Sequence, residues 1–220
     1  MTDPQPIDPA WVQALFTRAD GTFQFARWGR AIAPVIIGVD DQGCQIFETA
    51  IATVAKITGV EVQELDPELG ANLLIFLVND WAELGTAPNL LQLIPNLPDL
   101  IDTLTHRRAN QYRVFSVDPE GAVRHCIVLL RYDDEMQQVS AQTLAVSQAV
   151  QSFLNWAPAA FKDESPLALT EDGVCIIKPM HADLMRVAYD PALPGASSDP
   201  ALALRMAARM TVATVDQPPE

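Results

Sequence analysis

Among the side chains of this 220-residue sequence whose chemistry could go beyond packing are three histidines, three cysteines and a group of arginines. Their spacing decides what each can do. His181 with Asp183, followed by Asp190, is the best polar group, since an imidazole with carboxylates could hold a cation or polarise a water. The same letters describe a solvated helix start in which Asp183 favours the positive end of the dipole. Tyr189-Asp190-Pro191 likewise describes a buried hydroxyl followed by a turn. In both places the packing reading takes precedence.

Metal-assisted hydrolysis by a zinc peptidase needs two imidazoles one helical turn apart and a carboxylate that takes a proton from the bound water. His106, His125 and His181 share no helical face, so that chemistry is not expected. Neither Ser140, Ser147 nor Ser152 lies in a glycine-flanked elbow, and the ten glycines are too scattered to form a phosphate loop. Cys44, Cys126 and Cys175 lack the close pairing of zinc or thiol-redox sites, and each reads as a buried small hydrophobe. No catalytic residue, metal ligand or cofactor is assigned. Arg107, Arg108, Arg113, Arg124 and Arg131 fall in one short region and could form a local anion site. Arginines flanking strands on a solvated face are the commoner outcome.

The element that would have to carry any such site is the segment from Val139 to Trp156, which contains no Asp, Glu, His, Cys, Lys or Arg. Val139, Val146, Val150, Phe153 and Leu154 recur at helical spacing, and Trp156-Ala157-Pro158 ends the run. A helix without charge on either side must be largely enclosed, or its polar strip of Gln142, Gln148, Gln151 and Asn155 must meet something other than bulk water.

Around it, Asp8-Pro9 starts a helix that reads as ending near Asp20-Gly21, and the Phe23, Phe25, Trp28 alternation reads as a strand. Ala33 to Val39 is a strand, and Gln45 to Thr58 a helix stopped by Gly59. Val60 and Val62 could begin a short strand. Leu73 to Val78 reads as a strand buried on both faces. Pro88, Pro95 and Pro98 divide the next stretch into short helices, the longest from Pro98 to Arg107. Strand, Asp118-Pro119-Glu120-Gly121 turn and strand then make a hairpin. Gly173 to Ile177 is a short apolar segment, and helices follow at Pro179 to Asp190 and Pro200 to Met210. This order specifies an α+β fold, a mixed β-sheet packed with helices. The expected organisation is an N-terminal helix and arm at residues 1–22, a single domain at 23–210 and a flexible tail at 211–220.

A net charge of −14 repels phosphate backbones and anionic headgroups, so nucleic acid is not an expected partner. No apolar run approaches a bilayer's width, so membrane insertion is not expected either. The amino terminus shows no secretory signal, which predicts a cytoplasmic location, or a periplasmic one if the chain is a processed form.

The segment His181-Ala182-Asp183-Leu184-Met185-Arg186-Val187-Ala188-Tyr189-Asp190-Pro191-Ala192-Leu193-Pro194-Gly195 resembles the ending of a bacterial family known as domain of unknown function 2927. That ending runs His-Asp, a leucine-rich turn with Arg, then Leu-Tyr-Asp-Pro-Arg-Leu and Pro-Gly. The strand Ala33 to Val39, the helix to Gly59 and the segment Ala71 to Val78 extend the likeness over roughly Phe25 to Gly195. The same ending is similar to the last helix of matrixin-type zinc peptidases. The resemblance therefore implies a zincin-like core with a central buried helix, Leu144 to Leu154 standing in the active-site position. The family's helix carries a Cys and paired Glu, with Gln and Leu-Gly-Leu further on. Here Leu144-Ala145-Val146-Ser147-Gln148 keeps only the Gln, and Phe153-Leu154-Asn155-Trp156 replaces the turn. Many members are exported, which this amino terminus does not match.

The departures fall where chemistry would be. The expectation is a non-catalytic interaction or ligand-binding protein on a degenerate zincin-like scaffold, a pseudoenzyme whose partner is another protein or a small ligand. Its candidate residues are Gln148, Gln151, His181, Asp183, Tyr189 and Asp190. The alternative is a divergent, metallopeptidase-like hydrolase with a site near His181 and Asp183.

Overall fold

A computed structural model describes residues 7–87 and 89–215, with the side chains of 212–215 excepted. Helix α1, Pro9–Ala14, starts as its letters demand: the Asp8 carboxylate accepts from Ala10 N at 2.9 Å, and Pro9 fills the first turn where no N–H is needed. It does not continue to Gly21. The chain reverses at Gly21, whose φ is +84°, and Thr17 bridges back to Phe23. Aromatic packing wins over helical continuation here, because the reversal stacks Phe16 on Trp156 at 5.1 Å and sets its edge against Phe23 and Phe25. The expected long strand through Trp28 shrinks accordingly to β1, Phe25–Ala26, which pairs with β8, Ala196–Ser197.

The central sheet begins with a parallel βαβ unit. Strand β2, Pro34–Ile37, leads into α2, Asp41–Thr58, which is capped by Asp40 and stopped by left-handed Gly59. Strand β3, Leu73–Val78, then pairs parallel with β2. Val62 makes one bridge, to Ile32, rather than a strand. A 3-10 turn at Trp81–Thr86, α3 at Leu90–Leu93 and α4 at Leu97–His106 follow, while Pro88 lies outside the described residues. The hairpin is β4, Gln111–Val117, with β5, Val123–Arg131. Sheet order is β2-β3-β5-β4, parallel except for the β5–β4 pair. The fold is α+β.

Alternation along the strands separates two cores. Leu73, Ile75, Cys126, Val128 and Leu130 face the larger one, shared with α2 and with α5, Ala141–Phe153. Phe76, Ile127 and Leu129 face the smaller one, closed by Trp81, Leu84, Leu90, Leu97 and Leu104. Beyond α5 come the hairpin β6, Leu167–Leu169, with β7, Cys175–Ile177, then α6, Pro179–Ala188, and α7, Ala201–Val215. Strand β6 has no distinct letter pattern and is unannounced in the sequence. Helix α7 runs past Met210, with Thr211 Oγ1 accepting from Ile7 N at 3.3 Å, so the described part of residues 211–220 is helical. Residues 216–220 lie outside the described residues. No helix among the described residues is long and apolar enough to cross a membrane.

The neutral helix α5 is enclosed. It opens on Ser140, whose hydroxyl accepts from Thr143 N at 3.1 Å, and seven of its residues are buried, from Leu144 to Phe153. A buried helix must satisfy its last carbonyls, and no glycine does so here. Instead Trp156 Nε1 donates to Val150 O at 2.9 Å, Trp28 Nε1 to Ser152 O at 2.8 Å, and the Tyr189 hydroxyl to Phe153 O. Three amphipathic aromatic side chains from three parts of the chain thus close one helix end.

Candidate functional site

Strand β4 is the sheet's antiparallel edge, and its register fixes what it offers. Even-numbered β5 residues turn their N–H groups toward β3, as Cys126 N to Asn72 O and Tyr132 N to Val78 O show, while Arg131 N donates to Asn110 O. Tyr112 and Val114 therefore bond to β5, and the backbone groups of Gln111, Arg113 and Phe115 point away from the sheet. Among the described residues nothing bonds to them.

The side chains of those same residues lie on the α5 face. Arg113 Nη1 donates to Gln151 Oε1 at 3.1 Å and Nη2 donates to Gln148 Oε1. Gln148 Nε2 passes the chain of bonds to Gln111 Oε1 at 3.3 Å, and Gln151 Nε2 to Ser147 Oγ at 3.0 Å. The polar strip is inward at Gln148, which is 2% exposed, half-buried at Gln151 and Asn155, and exposed at Gln142. Of its remaining members, Asn155 Oδ1 accepts from Arg18 at 2.8 Å, and Gln142 lines a groove of about 450 Å³ with Gln45, Thr49 and Val146. A second cavity, about 370 Å³, lies at the strand ends near Gly38, Asn79 and Tyr132.

Arg113 is the site residue that sequence reasoning passed over, grouping it with arginines of a solvated face. The five do not cluster. Arg124 pairs with Glu68 and Arg131 with Asp133, while Arg107 and Arg108 are exposed. Only Arg113 of the five turns onto α5, and two glutamines one helical turn apart, facing the inward register of an edge strand, were the available signal. Burial pulls its pKa down from the ordinary guanidinium range, countered only by the Cys126 sulfur when that is ionised. Burial in turn pushes that thiol up to about 12, with Arg113 and Ser152 pulling back, so Cys126 is no nucleophile near neutral pH. Cys126 is a buried small side chain as expected, whereas Cys44 and Cys175 are only half-buried.

The other candidates are placed separately. His181 is buried, 2% exposed, rather than at a solvated helix start, with its ring 5.3 Å from Trp11 and 5.9 Å from Phe161. Its Nδ1 has no partner, and burial lowers its pKa, Glu164 opposing and Lys178 reinforcing the shift. Asp183 pairs with Arg186 on the same helix. Asp190 Oδ2 accepts from Arg209 at 2.6 Å and its Oδ1 caps Ala192 N at 2.7 Å, tying α7 to the loop after α6. Tyr189 lies under Arg27, 5.5 Å from ring to guanidinium, and burial raises its pKa. These four residues form no common site. Among the described residues no group of three or more His, Cys, Asp or Glu side chains could hold a metal ion.

What the arrangement can do chemically is hold something through hydrogen bonds: an unbonded strand edge runs beside one guanidinium and three neutral amides. Comparison of the chain with family models, with curated proteins and with solved structures yields no match.

Proposed function

We propose that this chain is a non-catalytic interaction protein on a degenerate zincin-like scaffold, and that it takes an extended segment of another protein along the free edge of β4, beside α5. One observation carries the reading: the backbone groups of Gln111, Arg113 and Phe115 face outward with no partner among the described residues. Such an edge supplies main-chain hydrogen bonds to an added strand, and the side chains beside it supply selectivity. The helix next to it carries no metal ligand, base or activated nucleophile, which supports binding without turnover. A hydrolytic reading centred on His181 and Asp183 draws no support from their placement, one in an aromatic pocket and the other paired with Arg186.

The test is selection of peptides from a random displayed library on the folded protein, followed by anisotropy measurements on Gln111→Pro. Proline at the first residue of an edge strand removes an outward N–H without costing a ladder bond to β5, and it also removes the side-chain oxygen that accepts from Gln148. Selected peptides are expected to bind Gln111→Pro at least tenfold more weakly than Gln111→Ala, which loses the same bond from Gln148 but keeps the outward N–H, and to stay intact by mass spectrometry. An empty selection or equal binding to the two variants would reject the edge. Peptide cleavage would reject the non-catalytic half. A change of oligomeric state in Gln111→Pro would make a second copy of this chain the occupant instead.

A further inference from the structure

Among the described residues three arginines have a buried Nε with no hydrogen-bond partner: Arg27, Arg113 and Arg131. Two of them have an evident source of compensating charge. Arg131 pairs with Asp133 at 3.1 Å. Arg27 donates to the carbonyls of Tyr189 and Leu193 at 3.0 Å each, at and beyond the carboxyl end of α6, where the helix dipole is negative. Arg113 has neither. Its partners are two neutral side-chain amide oxygens from the second half of α5, not backbone carbonyls of a helix end, and no carboxylate of the described residues pairs with it. This happens in a chain with 28 acidic residues against 14 basic ones, where a counter-charge is easily supplied by substitution. Taking a guanidinium out of water without an opposite charge is costly, and hydrogen bonds to amides return only part of that cost.

We propose that Arg113, flanked by Gln148 and Gln151, is a receptor for one carboxylate carried by the segment that binds β4. This rests on the edge-binding reading and names what the bound segment must contain. Two of the five guanidinium N–H groups are occupied by the glutamines, so donors remain for a carboxylate. Arg113 is itself half-buried, exposed Gln111 and half-buried Gln151 belong to the same bond network, and both can turn an amide N–H toward an oxyanion. The outward backbone of Arg113 itself lies at the same place, so an added strand brings its own side chains alongside. A single charge fits better than a phosphate, because one arginine neutralises one charge and the surrounding field of a −14 chain opposes a second.

The probes are the peptides recovered by the selection described above, made with both ends blocked. Alongside them go analogues in which each Glu or Asp becomes its amide, and neutral versions with a free terminal carboxylate. The acidic peptides are expected to bind at least tenfold more tightly than their amide analogues. That preference is expected to vanish in Arg113→Met, and also in Gln151→Glu, which supplies the missing carboxylate from within. Gln151→Glu should melt higher than the parent, an effect opposite to that of simple damage to the site. Preference for the free terminus would keep the carboxylate and make a chain end its source. Equal binding of acidic and amide peptides, with Gln111→Pro still abolishing both, overturns the carboxylate receptor and leaves edge binding standing. Competition by inorganic phosphate exceeding that of acetate overturns it as well.

Discussion

A single buried imidazole gives this protein a calculable response to acid. His181 sits between Trp11 and Phe161 with Nδ1 unpartnered, and its pKa is lowered by burial, with Glu164 pulling back more than Lys178 adds. The folded state therefore binds the proton less readily than the unfolded chain, whose histidine titrates at about 6.5. Stability from this residue is complete above that value and is lost as pH falls through it toward the lower folded pKa. His125, depressed by burial and by Arg124, acts in the same direction. The melting temperature of the parent should decline between about pH 7.5 and about pH 5, and His181→Phe should show a shallower decline. If both proteins trace the same curve, His181 titrates normally and its pocket is wetter than described. At this scale the sequence was legible in type but not in setting: His181 and Asp183 stand out as letters, yet whether they meet depends on α1, which contributes Trp11 from the far end of the chain. Arg113 was illegible for the opposite reason, since nothing local distinguishes an inward arginine from a solvated one.

Helix α5 shows how an element can be neutral and still be well held. Its enclosure follows from composition, because a helix lacking charge has no face that water prefers, and its N-terminus is written locally in Ser140. The C-terminus is not local at all. Trp28, Trp156 and Tyr189 reach it from β1's flank, the following loop and α6, and together they satisfy three carbonyls. Tyr189→Phe conserves ring and packing while removing the hydroxyl, leaving Phe153 O and Trp28 N without that partner. The expected loss is about 1–3 kcal/mol in denaturant unfolding, the range for a buried polar group left unsatisfied. Peptide binding at β4 should be unaffected, since the Tyr189 hydroxyl bonds a backbone carbonyl of α5 and takes no part in the side-chain bonds among Arg113, Gln148 and Gln151. A loss below about 0.5 kcal/mol would mean that water replaces the hydroxyl there. The βαβ unit and the β4–β5 hairpin were readable because their signals are local: Gly59 as a stop, the Asp118 to Gly121 turn, and runs of β-branched residues. The early end of α1 and the short β1 were not, because side-chain packing of Phe16, Phe23 and Trp156 overrode the helical pattern.

Across the whole molecule, the sheet divides two cores of unequal strength, and the division sets the order in which parts should open. On one face, the long helices α2 and α5 lie against each other and against β3 and β5, with α6 and α7 packed behind. On the other, the cover consists of a 3-10 turn, the four residues of α3 and the ten of α4, and α3 leaves Leu91 and Leu93 exposed. Short helical pieces close few backbone hydrogen bonds each and depend on packing to persist. Native-state hydrogen exchange should therefore report the global unfolding free energy for amides of β3, β5 and the middle of α5, and a lower opening free energy for those of α3 and α4. Because β4 and α5 belong to the more stable side, a ligand at Arg113 should raise protection in β4 and α5 before it changes that of α4. Equal opening free energies on the two faces would show one cooperative unit, in which the smaller core around Trp81 and Leu90 contributes to stability as strongly as the larger.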